Sequence, residues 1–217
     1  MKQTLKQMFS LLEKHYGTTH WWPGDTPFEI AVGAILTQNT AWSNVEKAIA
    51  NLKQERLLTP QRILAVPLET LEAAVRPSGY FRQKSKRLRI FCDYLFTKYR
   101  GSINNMATQP LEVLRAELLA LNGIGPETAD DILLYACEKP IFVIDAYTRR
   151  ILSRHNLVSE DISYDTMQTV FHKNLPADVT LFKEFHGLIV YTGKDFCRRL
   201  PRCESCPLYK FLPTQLP

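Results

Sequence analysis

Apolar residues recur along this chain at spacings of three and four. Leu5, Met8, Phe9, Leu11 and Leu12 predict a helix over residues 3–15. The same spacing predicts helices over residues 28–37, 42–54, 82–98, 163–173 and 178–192, with a shorter one over 68–75. Thr59 before Pro60 suits a helix start. Pro110 is expected to open a helix through Leu121, and Pro126 one through Cys137. A further helix is expected from Asp145 to His155. Trp21 to Pro27 is a breaker-rich loop, and Arg76 to Tyr80 a turn. No β-alternation runs for more than a few residues. Many short helices joined by Pro- and Gly-containing loops predict a compact all-α protein.

The 217 residues suffice for one large domain or two small lobes. Hydrophobic content of 45% and charged content of 23% are ordinary for a globular chain. No apolar run approaches the length of a membrane span, and the N-terminus lacks an apolar signal core, so a cytoplasmic protein is expected. A net charge of +5 permits a nucleic-acid partner without requiring one. Two basic clusters stand out: Arg82, Lys84, Lys86, Arg87 and Arg89, then Lys194, Arg198, Arg199 and Arg202. Each reads equally well as a solvated face or as a phosphate-contacting surface. The odd count of five cysteines argues against a secreted disulfide framework.

Between two apolar helices lies Leu121-Asn122-Gly123-Ile124-Gly125-Pro126-Glu127-Thr128-Ala129. Gly123 and Gly125 permit positive φ and close approach of backbone to a ligand. Ile124 can plug the turn from beneath. The amides at the start of the helix opened by Pro126 suit an anion such as a DNA phosphate, a contact that positions a duplex without reading its sequence. Taken alone, the turn is also what any tight helix–helix connection requires. Twenty residues after Gly125, the apolar run Ile141-Phe142-Val143-Ile144 delivers Asp145. Asp145 can cap the helix that follows, and the helix dipole favours its ionised form. Ionised, it can stabilise positive charge developing on a deoxyribose or orient an attacking water.

The hairpin and the following aspartate together resemble the endonuclease III superfamily of helix-hairpin-helix, Gly/Pro-rich-loop DNA glycosylases, over about residues 28–206. The resemblance implies an all-α fold of two helical lobes with a cleft between them. The expected lobes are residues 25–139, containing the hairpin, and residues 1–24 plus 140–217, carrying the aspartate and the Cys-rich C-terminal loop. It implies a base-excision-repair enzyme that binds double-stranded DNA containing a damaged base, flips the target nucleotide and cuts its N-glycosidic bond with Asp145. Such an enzyme is expected to act as a monomer at the bacterial or archaeal nucleoid. Leu36-Thr37-Gln38-Asn39-Thr40 resembles the segment whose polar side chain fills the gap left by the flipped base, a role carried to Gln38 or Asn39. Bifunctional members have a lysine two positions after the second hairpin glycine. Glu127 stands there in this chain and cannot form the Schiff base of the lyase reaction.

Trp21, Trp22, Trp42, Tyr80 and Phe81 are candidates to line the base pocket, with Trp42 the first choice for stacking; core packing is the alternative for each. Trp21-Trp22-Pro23, the Leu-Thr-Gln-Asn-Thr segment, residues 75–80, Leu134-Tyr135-Ala136-Cys137 and Phe185-His186-Gly187 are similar to the 3-methyladenine DNA glycosylase III branch. That similarity implies an alkylated purine substrate. A damaged-pyrimidine or T·G mismatch glycosylase is the alternative within the class, and a non-catalytic DNA-binding protein the alternative outside it. His186 reads as a core histidine or as support for Asp145. Cys197, Cys203 and Cys206 fall where endonuclease III relatives ligate a [4Fe–4S] cluster, but the first gap is one residue shorter, and the fourth ligand position is Leu212. Three of four usual ligands leave open an intact cluster with an unusual fourth ligand, a labile cluster, a zinc site completed by histidine, or no metal. Cys92 or Cys137 can complete the set only if folding brings one near.

Overall fold

The computed structural model describes residues 1–19 and 21–213. Twelve α-helices run in chain order among them: α1 (Lys2–Tyr16), α2 (Pro27–Leu36), α3 (Trp42–Gln54), α4 (Pro60–Ala65), α5 (Leu68–Val75) and α6 (Phe81–Tyr99). They continue as α7 (Ile103–Met106), α8 (Leu111–Leu119), α9 (Pro126–Asp131), α10 (Ala146–Arg154), α11 (Tyr164–Asn174) and α12 (Val179–Asp195). No strand occurs among the described residues, as expected for an all-α fold. Nor is any helix there long and apolar enough to cross a membrane. Two compact units form: one from Pro23–Lys139, the other from Met1–Trp22 together with the chain from Pro140 onward.

Helix starts follow the capping chemistry of the sequence. Thr26, Thr59 and Ser163 hydroxyls accept from Glu29, Arg62 and Thr166 amides, and the Asp178 carboxylate from Leu181. Two local expectations need correction, and one helix had not been expected. The helix after Pro110 ends at Leu119, not Leu121. The stretch expected as one helix from Pro126 to Cys137 changes character at Ile132: residues Ile132–Ala136 form a wider π-helical turn, with the Cys137 amide reaching back to the Ile132 carbonyl at 3.0 Å. Ile132 to Ala136 are all buried and pack against α2, α8 and α9. Finally, α7 has too few residues for a periodic signal; Ser102, which accepts from the Asn105 amide, starts it.

The first basic cluster is not a solvated face. Lys84 is fully buried, its Nζ donating to the Leu36 and Ser78 carbonyls at 2.8 and 2.6 Å. Burial, and to a lesser degree Arg87, pulls its pKa down to about 8. Arg87 donates to Gln38 Oε1 and Arg89 to the Val66 carbonyl. Only Arg82 and Lys86 of the five are exposed.

In the other unit, Leu5, Met8 and Leu12 of α1 are fully buried, and the helix packs on α11 and α12. The core of this unit is the extended run Ile141–Ile144, each residue at most 3% exposed. Phe142 stacks on Phe171 with centroids 3.6 Å apart and meets Phe182 and Phe185 edge-on. The peptide groups of this run, which no helix or strand satisfies, bond to one face of α11. The Ile144 amide donates to the Tyr164 hydroxyl (3.2 Å), Gln168 Nε2 donates to the Phe142 carbonyl (2.7 Å), and the Phe142 amide donates to His172 Nε2 (3.0 Å). Tyr164, Gln168 and His172 recur every four residues, one helical turn apart.

Replacing Gln168 by Ala leaves the buried Phe142 carbonyl without this donor. Urea unfolding is expected to show a loss of about 1–3 kcal/mol. An unchanged midpoint would mean that the run is not anchored in this way.

Candidate active site

Asp145 sits where the apolar run meets α10. Its backbone is extended (φ −93°, ψ 179°), and its Oδ1 accepts from the Thr148 amide at 2.7 Å. It is therefore the N-cap of α10, with one carboxylate oxygen fixed by the helix start. The other, Oδ2, lies 3.8 Å from Nε2 of His186 on α12. The Asp145 side chain retains 13% exposure while His186 retains 4%. Burial lowers the His186 pKa, and the weaker pull of Asp145 in the opposite direction does not offset it. The imidazole is thus neutral at neutral pH and stands beside the carboxylate without an ion pair. His186 is both a core histidine and a neighbour of Asp145.

Glycines on α12 set how close the surrounding groups come. A Cβ at Gly187 would stand 2.6 Å from the Trp21 Cβ and 2.7 Å from the Thr19 hydroxyl. A Cβ at Gly193 would overlap the Tyr147 ring. Thr19 is held by Glu184, whose Oε2 accepts from the Thr19 amide and hydroxyl at 2.7 and 3.0 Å. Trp21 packs edge-on to Tyr191 and Trp22, and Lys194 Nζ lies 5.0 Å over its ring. Asp145, His186, Trp21 and Trp22 thus belong to one unit.

The hairpin belongs to the other unit, Pro23–Lys139. Gly123 has φ +87°, and a Cβ there would run into the Arg87 side chain, so both conformation and space demand glycine. Ile124 is 5% exposed beneath the turn. Gly125 is extended and exposed, with nothing within 4 Å of where a Cβ would stand. The two helices are clamped by Arg115 of α8, which binds the fully buried Asp130 of α9 through both carboxylate oxygens at 2.8 and 3.3 Å. Gln38 Nε2 donates to the Gly123 carbonyl (3.1 Å) and to Thr128 Oγ1 (2.8 Å), tying the 37–40 turn to the hairpin. Asn39, next in the chain, is exposed with φ +52°. Glu127 lies exposed in the first turn of α9. Trp42 donates to Glu46 Oε1 at 3.0 Å and borders a hollow with Pro23, Glu29 and Lys53. Tyr80 is 64% exposed, and Phe81 lies under Arg76 and Arg82.

Sequence reasoning missed the α11 face and the Arg115–Asp130 clamp. The regular spacing of Tyr164, Gln168 and His172 was a usable signal for the first; nothing in sequence spacing singles out the second.

Cys197, Cys203 and Cys206 all line one mostly apolar cavity behind α10, which Leu212 also borders. Burial, then the neighbouring Cys197 and Cys203, raises the pKa of the Cys206 thiol. Arg150 Nε donates to the Cys197 carbonyl (2.7 Å), and Arg154 to the Arg198 and Arg199 carbonyls (2.6 and 3.2 Å), so the loop is bound to α10. Arg198, Arg199 and Arg202 remain exposed. Cys92 and Cys137 are buried in the other unit and do not line this cavity. No group of three or more His, Cys, Asp or Glu among the described residues is drawn together tightly enough for a single metal ion.

Residues 32–177 match the HhH-GPD superfamily of base excision DNA repair proteins. A Methanocaldococcus jannaschii protein named, as an unproven assignment, a DNA repair glycosylase is 44% identical over 211 residues, 96% of each chain. The crystal structure of Helicobacter pylori 3-methyladenine DNA glycosylase bound to 1,N6-ethenoadenine is 32% identical with a TM-score of 0.76, covering 89% of this chain and 96% of that one. A non-covalent endonuclease III–DNA complex is 26% identical with a TM-score of 0.83, covering 98% and 95%. With its helical hairpin and the aspartate that follows it, the chain belongs to the HhH-GPD superfamily of base excision repair DNA glycosylases.

Proposed function

We propose that this protein is a monofunctional DNA glycosylase that hydrolyses the N-glycosidic bond of a flipped alkylated purine, such as 3-methyladenine, using Asp145. The carrying observation is the environment of Asp145: one oxygen capped by the Thr148 amide, the other 3.8 Å from a buried neutral imidazole. A carboxylate so held can stabilise the charge that builds on the sugar as the C1′–N bond breaks, and can orient the water whose oxygen then bonds to C1′. The electron pair of the broken bond leaves with the base. In 3-methyladenine that pair neutralises a ring that is already cationic, so no proton need be delivered to the leaving group.

Amides of the Gly123–Gly125 turn hold a backbone phosphate, and the open space at Gly125 admits it closely. Asn39, exposed beside Gln38 whose amide is already hydrogen-bonded to the hairpin, is the better-placed of the two to enter the gap left by the base. Trp21 and Trp22, in the unit of Asp145, are the aromatic candidates for a cationic base; Lys194 over Trp21 illustrates the attraction, worth about 0.5–2 kcal/mol. The 3-methyladenine glycosylase among the structural relatives supports this substrate class.

Asp145→Asn is expected to lower single-turnover release of 3-methyladenine by about 10²–10⁴-fold while duplex binding persists. Undiminished release would refute the catalytic role. Because Glu127 offers no amine, an abasic duplex is expected to survive intact, and borohydride is expected to trap no covalent complex. Efficient trapping would refute the monofunctional reading. Single-lesion duplexes carrying 3-methyladenine, 7-methylguanine, thymine glycol or a T·G mismatch separate the substrate classes. Release confined to the last two would overturn the alkylpurine assignment.

A further inference from the structure

One buried side chain remains unexplained by the glycosylase reading. His155, the C-cap of α10, is 8% exposed and lines the same cavity as Cys197, Cys203 and Cys206. Its Nδ1 lies 2.7 Å from the Ile151 carbonyl. A carbonyl only accepts, so Nδ1 carries the proton and Nε2 presents a lone pair. That Nε2 is buried with no hydrogen-bond partner in the protein. An imidazole that donates from one nitrogen to a backbone carbonyl, with the other nitrogen unshared, has the orientation and tautomer of a metal ligand. A buried acceptor left without a partner costs about 1–3 kcal/mol, so such a group usually has a role.

The other donors line the same cavity. Arg154, the residue before His155, places Nη1 3.4 Å from Cys197 Sγ, a cation suited to a thiolate. The fourth cysteine position of relatives is Leu212, an apolar side chain that borders the same cavity and can ligate nothing. A thiol set short of one member thus faces an imidazole supplied by a different element.

We propose that Cys197, Cys203, Cys206 and Nε2 of His155 are the four protein ligands of a [4Fe–4S] cluster, the histidine standing in for the missing cysteine. Three thiolates and one imidazole also match the ligand set of a structural zinc site. The cysteine spacing, one residue short of the pattern of the cluster-bearing relatives, favours the cluster over a lone zinc ion, and the metal bound on reconstitution separates the two. Bound there, the cluster would fasten the loop that exposes Arg198, Arg199 and Arg202. The assignment is independent of the role of Asp145, and its test does not read glycosylase activity.

The full chain, purified anaerobically and reconstituted with iron and sulfide, is expected to hold about four iron per chain with broad absorbance near 400 nm. After cryoreduction, electron–nuclear double resonance is expected to show a strongly coupled 14N. His155→Cys should keep the iron and lose the nitrogen signal; His155→Ala should lose at least one iron per chain. Circular dichroism reports whether each variant is folded, and the nitrogen coupling of the unaltered chain does not depend on any variant. A cluster without nitrogen coupling, zinc in place of iron, or no bound metal after reconstitution would each overturn the assignment.

Discussion

A polypeptide run that is buried but belongs to no helix or sheet must find partners for its peptide groups elsewhere. In this protein that run is Ile141–Ile144, and Tyr164, Gln168 and His172 supply partners from successive turns of α11. Phe142, stacked on Phe171, fixes the run laterally. The consequence is positional: residue 145 emerges at one defined place and direction, already set to cap α10. Because the Asp145 carboxylate is anchored through its own helix start and faced by a histidine from α12, three elements determine where its free oxygen lies. A reacting group needs that degree of preorganisation, since loose placement forfeits much of its effect.

The hairpin solves a different problem with the same economy of parts. It must expose backbone amides while keeping two short helices rigid. Gly123 supplies the left-handed turn, Ile124 the buried plug, and the Arg115–Asp130 pair the clamp. Gln38 extends the arrangement to the 37–40 turn, so the hairpin and that turn share one hydrogen-bonded frame. The positive charge near this frame is partly structural. Lys84, Arg87 and Arg89 satisfy carbonyl and amide oxygens, leaving fewer solvated cations than the sequence displays.

Most helices were legible because amphipathic spacing and capping residues agree locally, as at Thr26, Thr59 and Ser163. The hairpin was legible because its paired glycines between helices are followed, twenty residues on, by a single carboxylate at the end of an apolar run. Asp145 stood out as a lone carboxylate after an apolar run. Of its surroundings only His186 was anticipated, because Gly187 and Gly193 act through contacts with residues far away along the chain. The helix expected over residues 126–137 did not anticipate the π-helical winding of Ile132–Ala136, a fully buried stretch with no solvent face for a periodic pattern to mark. The basic cluster on α6 misled because charge alone does not reveal which cations are buried. His155 carried no signal at all, since a histidine at a helix end is ordinary until it is found lining a cavity with three cysteines.

The central claim is that the carboxylate of residue 145 meets the sugar of an extruded nucleotide. A crystal structure with a duplex carrying a cationic pyrrolidine in place of the target deoxyribose tests it most directly. The account predicts an extruded ring whose nitrogen lies within about 4 Å of an Asp145 oxygen, ion-pair range. A bound duplex with the pyrrolidine still stacked in the helix, or extruded and held by other groups with Asp145 remote, would contradict it.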